Sequence, residues 1–225
     1  MASGTVAGRT MGLLVSIPPD PPPEGGWPIL IFLHGIGETA PLALQVAMTR
    51  HGPLGASSGS EATRRFVVIA PQLPAPGGDV WNRFANQVEA IARNAVDTYQ
   101  GNRSKIYLTG FSLGGNGVLD IGSLLPEVWA ALWPVDPTRY QPVDSNNRPV
   151  DRANQPIWVS AGEHARGQHA SFTGNWGTVD HDWTANPYPN PNPRRVYEDR
   201  GLNHVPTAMA AYSAGAIYDW LLRHP

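Results

Sequence analysis

Cysteine is absent from the 225 residues, which excludes a disulfide framework, a thiolate nucleophile and zinc sites built on sulfur. Charge is sparse as well. Only 15% of residues are charged, the formal net charge is -2 and the isoelectric point is near 6.4, so no basic field exists to gather nucleic acid or anionic lipid. No apolar stretch reaches the length of a membrane span. The opening "MASGTVAGRT" lacks a basic segment followed by an apolar one, so the compartment is either cytoplasmic or reached with a signal peptide already removed. Internal repeats and composition breaks are lacking too, and the length suits one domain with a sizeable core. These absences leave a small, neutral or weakly polar molecule as the natural partner, and they say nothing of oligomeric state.

What the chain does have is a series of strand-length apolar runs: "GLLVSI" near the start, "PILIFLHG" at 28–35, "FVVIAP" at 66–71, "KIYLTG" at 105–110, "AALWPV" at 130–135, "PIWVSAG" at 156–162 and "RRVYE" at 194–198. Several are unbroken rather than alternating, as strands buried on both faces of a parallel sheet require. Between two of them Phe84, Val88, Ile91, Ala95 and Tyr99 recur at helical spacing with Arg83, Glu89, Arg93 and Asp97 elsewhere on the wheel, which predicts an amphipathic helix. Further helices are expected near 41–51, just after Ser112, and over 207–223. Strand and helix alternate, the pattern of an α/β fold with a mostly parallel sheet. "PPDPPPEGG" at 18–26 reads as a stiff turn, and 162–193 reads as one long loop without periodic segments.

The stretch "KIYLTGFSLGGNGVLD" carries the sharpest signal. A strand, a G-x-S-x-G turn and a helix hold a serine in a strained backbone conformation, with its hydroxyl at the carboxyl edge of a sheet. Ser112 is therefore the expected nucleophile, with Gly110 and Gly114 small because strand and helix approach closely there. Its helix start offers the Leu113 N–H to a developing oxyanion, and the glycine turn of "FLHGIGE" offers that of Ile36. His34 braces that loop. In this chain order the base comes late, and His204 in "GLNHVPTAMAAY" follows the last strand and a glycine turn. His51 precedes the nucleophile and His224 is terminal. His164, His169 and His181 are scattered through a loop, a weak metal pattern, and neither metal nor cofactor is expected.

On these residues the chain resembles the small α/β-hydrolase esterases described as predicted peptidases, polyhydroxybutyrate-depolymerase-like or phospholipase/carboxylesterase-like serine hydrolases. The matching stretches are "WPILIFLHGIGE", "HGPLG", "APQLP" followed by Trp81, "KIYLTGFSLGGNGVLD", "PEVWAALWPV", "PIWVSAGE", "GLNHVPTAMAAY" and "YDWLL", in order across nearly the whole chain. The resemblance implies an α/β-hydrolase fold without a separate cap domain, Ser112 as nucleophile, His204 as base, and the Ile36 and Leu113 amides as oxyanion donors. It also implies an aspartate three residues after the glycine that ends the seventh strand, where this chain has Ala165. Glu163, one residue past that glycine, is the leading substitute. Asp180 or Asp182 in the long loop, Asp136 after the preceding strand, and no acid at all are the alternatives.

The implied activity is cleavage of carboxylic esters with short or aromatic acyl groups, polyester and feruloyl-type esters included, with Trp176 and Trp183 as an aromatic substrate wall. A serine peptidase is the nearer rival. A non-catalytic binding protein with an incomplete triad is the more distant one, motivated by Ala165.

Overall fold

The computed structural model describes residues 3–6, 9–74, 81–138, 155–167, 179–181 and 195–225. Nine strands form a single sheet: β1 (Ser3–Val6), β2 (Arg9–Ser16), β3 (Trp27–Leu33), β4 (Val67–Gln72), β5 (Gly101–Phe111), β6 (Ala131–Val135), β7 (Ile157–Ala161), β8 (Val179–His181) and β9 (Arg195–Asp199). Their spatial order is β1-β2-β4-β3-β5-β6-β7-β9-β8. β2 pairs antiparallel with β1 and β4, and every other pairing is parallel. The unbroken apolar runs have a direct cause, since every residue of β3, β4, β6 and β7 is buried.

Successive side chains of a strand point to opposite faces, and the core divides accordingly. Ile29, Ile31 and Leu33 of β3 join one cluster with Val67, Ile69, Ile106 and Leu108. That face is covered by a long helix (Ala85–Thr98), through Val88, Ile91 and Ala95, and by the helix after β5 (Leu113–Leu124), through Val118 and Ile121. Leu30 and Phe32 point the other way, into a cluster with Tyr107, Trp133 and Trp158.

The helix expected over 207–223 is two helices, His204–Tyr212 and Gly215–Leu222, and Tyr212, Tyr218 and Trp220 pack on the second face. The break at Ser213–Ala214 follows from capping, because the Ser213 and Ala214 N–H groups bond back to Met209 and Ala211 carbonyls. The expected helix near 41–51 is the short Leu44–Met48, and a second short helix spans Glu61–Arg65. The expectation of one structureless loop over 162–193 needs correction. It contains a helical turn, Glu163–Arg166, and the edge strand β8. A segment too short for helical or strand periodicity to register is set by tertiary pairing instead.

Register aligns the carboxyl ends of the central strands. Leu33 of β3 lies opposite Gly110 of β5, and Phe111 of β5 opposite Val135 of β6. The residues immediately beyond these pairs, His34, Ser112 and Asp136, therefore emerge side by side at one edge of the sheet, where clefts form in open α/β sheets.

Candidate active site

Ser112 sits between β5 and the Leu113–Leu124 helix with φ +58° and ψ -117°. For a non-glycine residue this is sparsely populated backbone, costing on the order of 1–3 kcal/mol, and the packing around it leaves no relaxed alternative. A Cβ on Gly114 would lie 1.9 Å from the Leu33 carbonyl oxygen, and one on Gly110 would lie 2.5 Å from that of Gly114. Strand and helix therefore touch through backbone alone. The elbow is pinned from below by the Ser112 N–H, which donates to the Val135 carbonyl at 3.0 Å.

The Ser112 hydroxyl and Nε2 of His204 are 2.9 Å apart, and Nδ1 of His204 meets Oδ2 of Asp136 at 2.5 Å. Asp136 is fully buried and its other oxygen accepts the N–H groups of Gly162 (3.0 Å), His164 (3.1 Å) and Ala165 (2.8 Å). Four donors thus converge on one carboxylate, the arrangement a buried charge requires. With Nδ1–H donating to Asp136, the imidazole presents an acceptor lone pair at Nε2 to the serine hydroxyl. The His204 ring is packed between Phe111, centroids 4.4 Å apart, and the edge of His164, also 4.4 Å.

Glu163 is the leading acid by sequence, and among the described residues no hydrogen bond joins its carboxylate to His204. Its side chain is exposed, and the carboxylate on His204 is that of Asp136. Glu163 opens the turn that folds over Asp136, so its backbone neighbours, not its carboxylate, serve the site. Asp180 lies in the edge strand β8, while Asp182, Trp176 and Trp183 fall outside the described residues. Asp136 has a sequence signal of its own that spacing rules undervalue: "PVDP" sets an aspartate one residue beyond a buried strand, as Ser112 stands to β5. Its φ of +39° suits aspartate, which tolerates left-handed backbone better than most residues.

Opposite the elbow, Ile36–Glu38 forms a single 3-10 turn after β3. Ile36 and Leu113 each begin a helical segment, and the first N–H groups of such segments have no acceptor within them. His34, fully buried, holds this turn in place. Its Nε2 accepts the Leu73 N–H at 3.0 Å, its Nδ1–H donates to the Gly35 carbonyl at 2.7 Å, and the His34 carbonyl accepts from Trp81 Nε1–H at 3.1 Å. Burial pushes the His34 pKa down, against smaller opposing effects of the Gly35 carbonyl and Glu38, so the ring is a neutral brace. A cleft of about 230 Å³ joins the two turns, lined by Ile36, Arg50, His51, Phe111, Ser112, His204 and Val205 among others.

No protein-family model and no curated protein matches this sequence. Solved structures do. A thermostable esterase aligns at 21% identity and TM-score 0.66 over 99% of this chain and 62% of its own, so this chain spans under two thirds of that protein's length. The substrate-bound Staphylococcus aureus fluorophosphonate-binding serine hydrolase F aligns at 11% identity and TM-score 0.63, covering 96% of this chain and 93% of that one. A Bacillus cereus carboxylesterase aligns at 12% identity and TM-score 0.56, covering 95% and 94%. At such identities the likeness speaks for architecture. With the strand order, the parallel central pairings and the strand–elbow–helix at β5, it establishes that this chain has the α/β-hydrolase fold.

Proposed function

We propose that the protein is a serine hydrolase of carboxylic esters working through an acyl-enzyme on Ser112. The observation that carries this reading is the unbroken hydrogen-bonded chain from Ser112 Oγ through His204 to Asp136, at 2.9 and 2.5 Å. His204 removes the hydroxyl proton as Oγ attacks the ester carbonyl and returns it to the departing alkoxide. A water activated by the same ring then releases the acid. Asp136 fixes the ring tautomer and offsets the charge of the transient imidazolium. The Ile36 and Leu113 N–H groups serve as oxyanion donors, a contribution of about 2.7–4 kcal/mol per donor where one has been removed in a related mechanism.

The acyl group fits the cleft beside the elbow, where Ile36, Phe111 and Val205 present apolar surface. A volume of about 230 Å³ favours short-chain or compact aromatic acyl groups. That several structural neighbours are esterases or serine hydrolases adds support. The contact of Asp136 with His204 supports this reading over the binding-protein alternative, whose motive was Ala165.

The test is intact-protein mass after exposure to a fluorophosphonate, with initial rates on 4-nitrophenyl esters of increasing acyl length. One adduct, absent in Ser112→Ala, and activity falling with chain length are expected. A folded wild type that neither labels nor turns over any ester refutes the reading.

A further inference from the structure

The cleft contains a second carboxylate–histidine pair that the reaction above does not use. Glu38, at the end of the turn after β3, is 2% exposed. One carboxylate oxygen accepts the Gly35 N–H at 2.6 Å and the other meets Nδ1 of His51 at 2.5 Å. Both oxygens are thereby occupied, as a buried carboxylate needs. The His51 ring is 20% exposed, lies against Phe111 with centroids 5.4 Å apart, and lines the same cleft as Ser112. Phe111 in turn packs on His204, so a single phenyl ring separates the two imidazoles. Nδ1 is committed to Glu38, and among the described residues nothing hydrogen-bonds Nε2.

A pin between the oxyanion turn and the following loop would be a sufficient reason for the Nδ1 contact. It gives no reason for a ring that faces the cleft with its second nitrogen unpartnered. The geometry points to His51, oriented by Glu38, as a specificity-determining residue that hydrogen-bonds a hydroxyl group carried by the ester substrate. The assignment rests on the hydrolase reading above.

A hydroxyl is the group that fits. With Nδ1–H given to Glu38, Nε2 of the neutral ring is an acceptor, and a hydroxyl donates. The neighbouring Arg50 also lines the cleft, is exposed and has no carboxylate partner among the described residues. The lone pairs of the same hydroxyl can accept from its guanidinium. Apart from Ser112, His204 and the already paired Glu38, the other side chains of the wall, Ile36, Phe111 and Val205, are apolar, so an ester otherwise made of alkyl or aryl groups, with a hydroxyl on its acyl or its alkoxy part, matches the site.

The experiment compares kcat/KM by pH-stat titration for butyl butanoate, butyl 3-hydroxybutanoate and 4-hydroxybutyl butanoate, in the wild type, His51→Asn and His51→Gln. Asparagine places an amide where Nδ1 stood and keeps the tie to Glu38, whereas glutamine places one near the position of Nε2. The wild type should prefer one hydroxylated ester over butyl butanoate by about three- to tenfold, the worth of one neutral hydrogen bond. Whichever arm shows the preference tells which side of the ester the hydroxyl occupies. His51→Asn should erase that ratio and His51→Gln should retain part of it. Equal rates on all three esters in the wild type overturn the assignment while leaving the hydrolase intact. A His51→Asn enzyme that slows on all three alike reduces the pair to a pin and overturns it too. Absence of turnover with an unlabelled Ser112 overturns the underlying hydrolase reading and the subsite with it.

Discussion

Replacing Asp136 with asparagine changes one charge and almost no shape, so its effect is decided by the hydrogen bonds around the side chain. Three backbone N–H groups point at Oδ1 from 2.8 to 3.1 Å. An asparagine satisfies them only by turning its oxygen there, which aims its NH₂ at Nδ1 of His204. A donor at Nδ1 makes that nitrogen an acceptor and moves the ring proton to Nε2, the atom that must accept the Ser112 proton. The damage is to the tautomer and not to the fold, since asparagine also tolerates the φ of +39° found here. In a protease triad the same exchange lowers kcat by about 10,000-fold, equivalent to about 5 kcal/mol of barrier, and the same order is expected here. Initial rates on 4-nitrophenyl butanoate and the rate of fluorophosphonate labelling report it, with circular dichroism to verify folding. Glu163→Gln should stay within about twofold, because an exposed carboxylate contributes little. A folded Asp136→Asn enzyme within about tenfold of the wild type, or a Glu163→Gln enzyme just as impaired, would refute the reasoning.

The same geometry makes three further outcomes testable. Ser112→Gly should melt higher than Ser112→Ala, the reverse of the usual ranking, because alanine keeps the left-handed penalty of about 1–2 kcal/mol that glycine escapes; paired calorimetric scans check the order. Gly114→Ala should lose about 3 kcal/mol or more together with all labelling, because its Cβ would meet backbone at 1.9 Å and cannot rotate away; urea titration and labelling of the soluble fraction measure both. His34 is held neutral when folded, so as pH falls below the ordinary 6.5 the unfolded chain takes up the proton first and stability declines. His34→Asn should show a flatter decline in unfolding free energy over that range, and parallel curves for the two proteins would count against His34 as the buried brace.

The sheet was legible because burial on both faces leaves a mark in every strand. β3, β4, β6 and β7 are apolar throughout, and their runs stand out from the polar turns between them. The elbow was legible for a different reason. Its constraint is local, and the contacts that exclude a Cβ at Gly110 and Gly114 lie within a single strand–turn–helix and the strand beside it. His204 could be placed by chain order and by the turn before its helix. The existence of β8, set by its pairing with β9, is a tertiary decision that no window of sequence records.

The carboxylate that meets His204 was legible only as one of several alternatives, because it is defined by reach across strands rather than by spacing along the chain. Asp136 and His204 are 68 residues apart in sequence, and any strand end on that edge of the sheet could supply a carboxylate. β6 is the immediate neighbour of β5, whereas β7 is one strand farther, a displacement of about 4.8 Å, so an acid after β6 starts nearer the serine. The segment after β7 then takes on the complementary task. Gly162, His164 and Ala165 turn their N–H groups onto Asp136, and a Cβ at Gly162 would come within 2.9 Å of Asp136 Oδ2. The Ala165 side chain is fully buried. An aspartate at 165 would put a carboxylate into the apolar cluster that holds the alanine methyl, at a cost of several kcal/mol for a buried charge without its own partner. Alanine at 165 therefore suits a chain in which Asp136 is the carboxylate that meets His204 and the turn after β7 contributes backbone N–H groups.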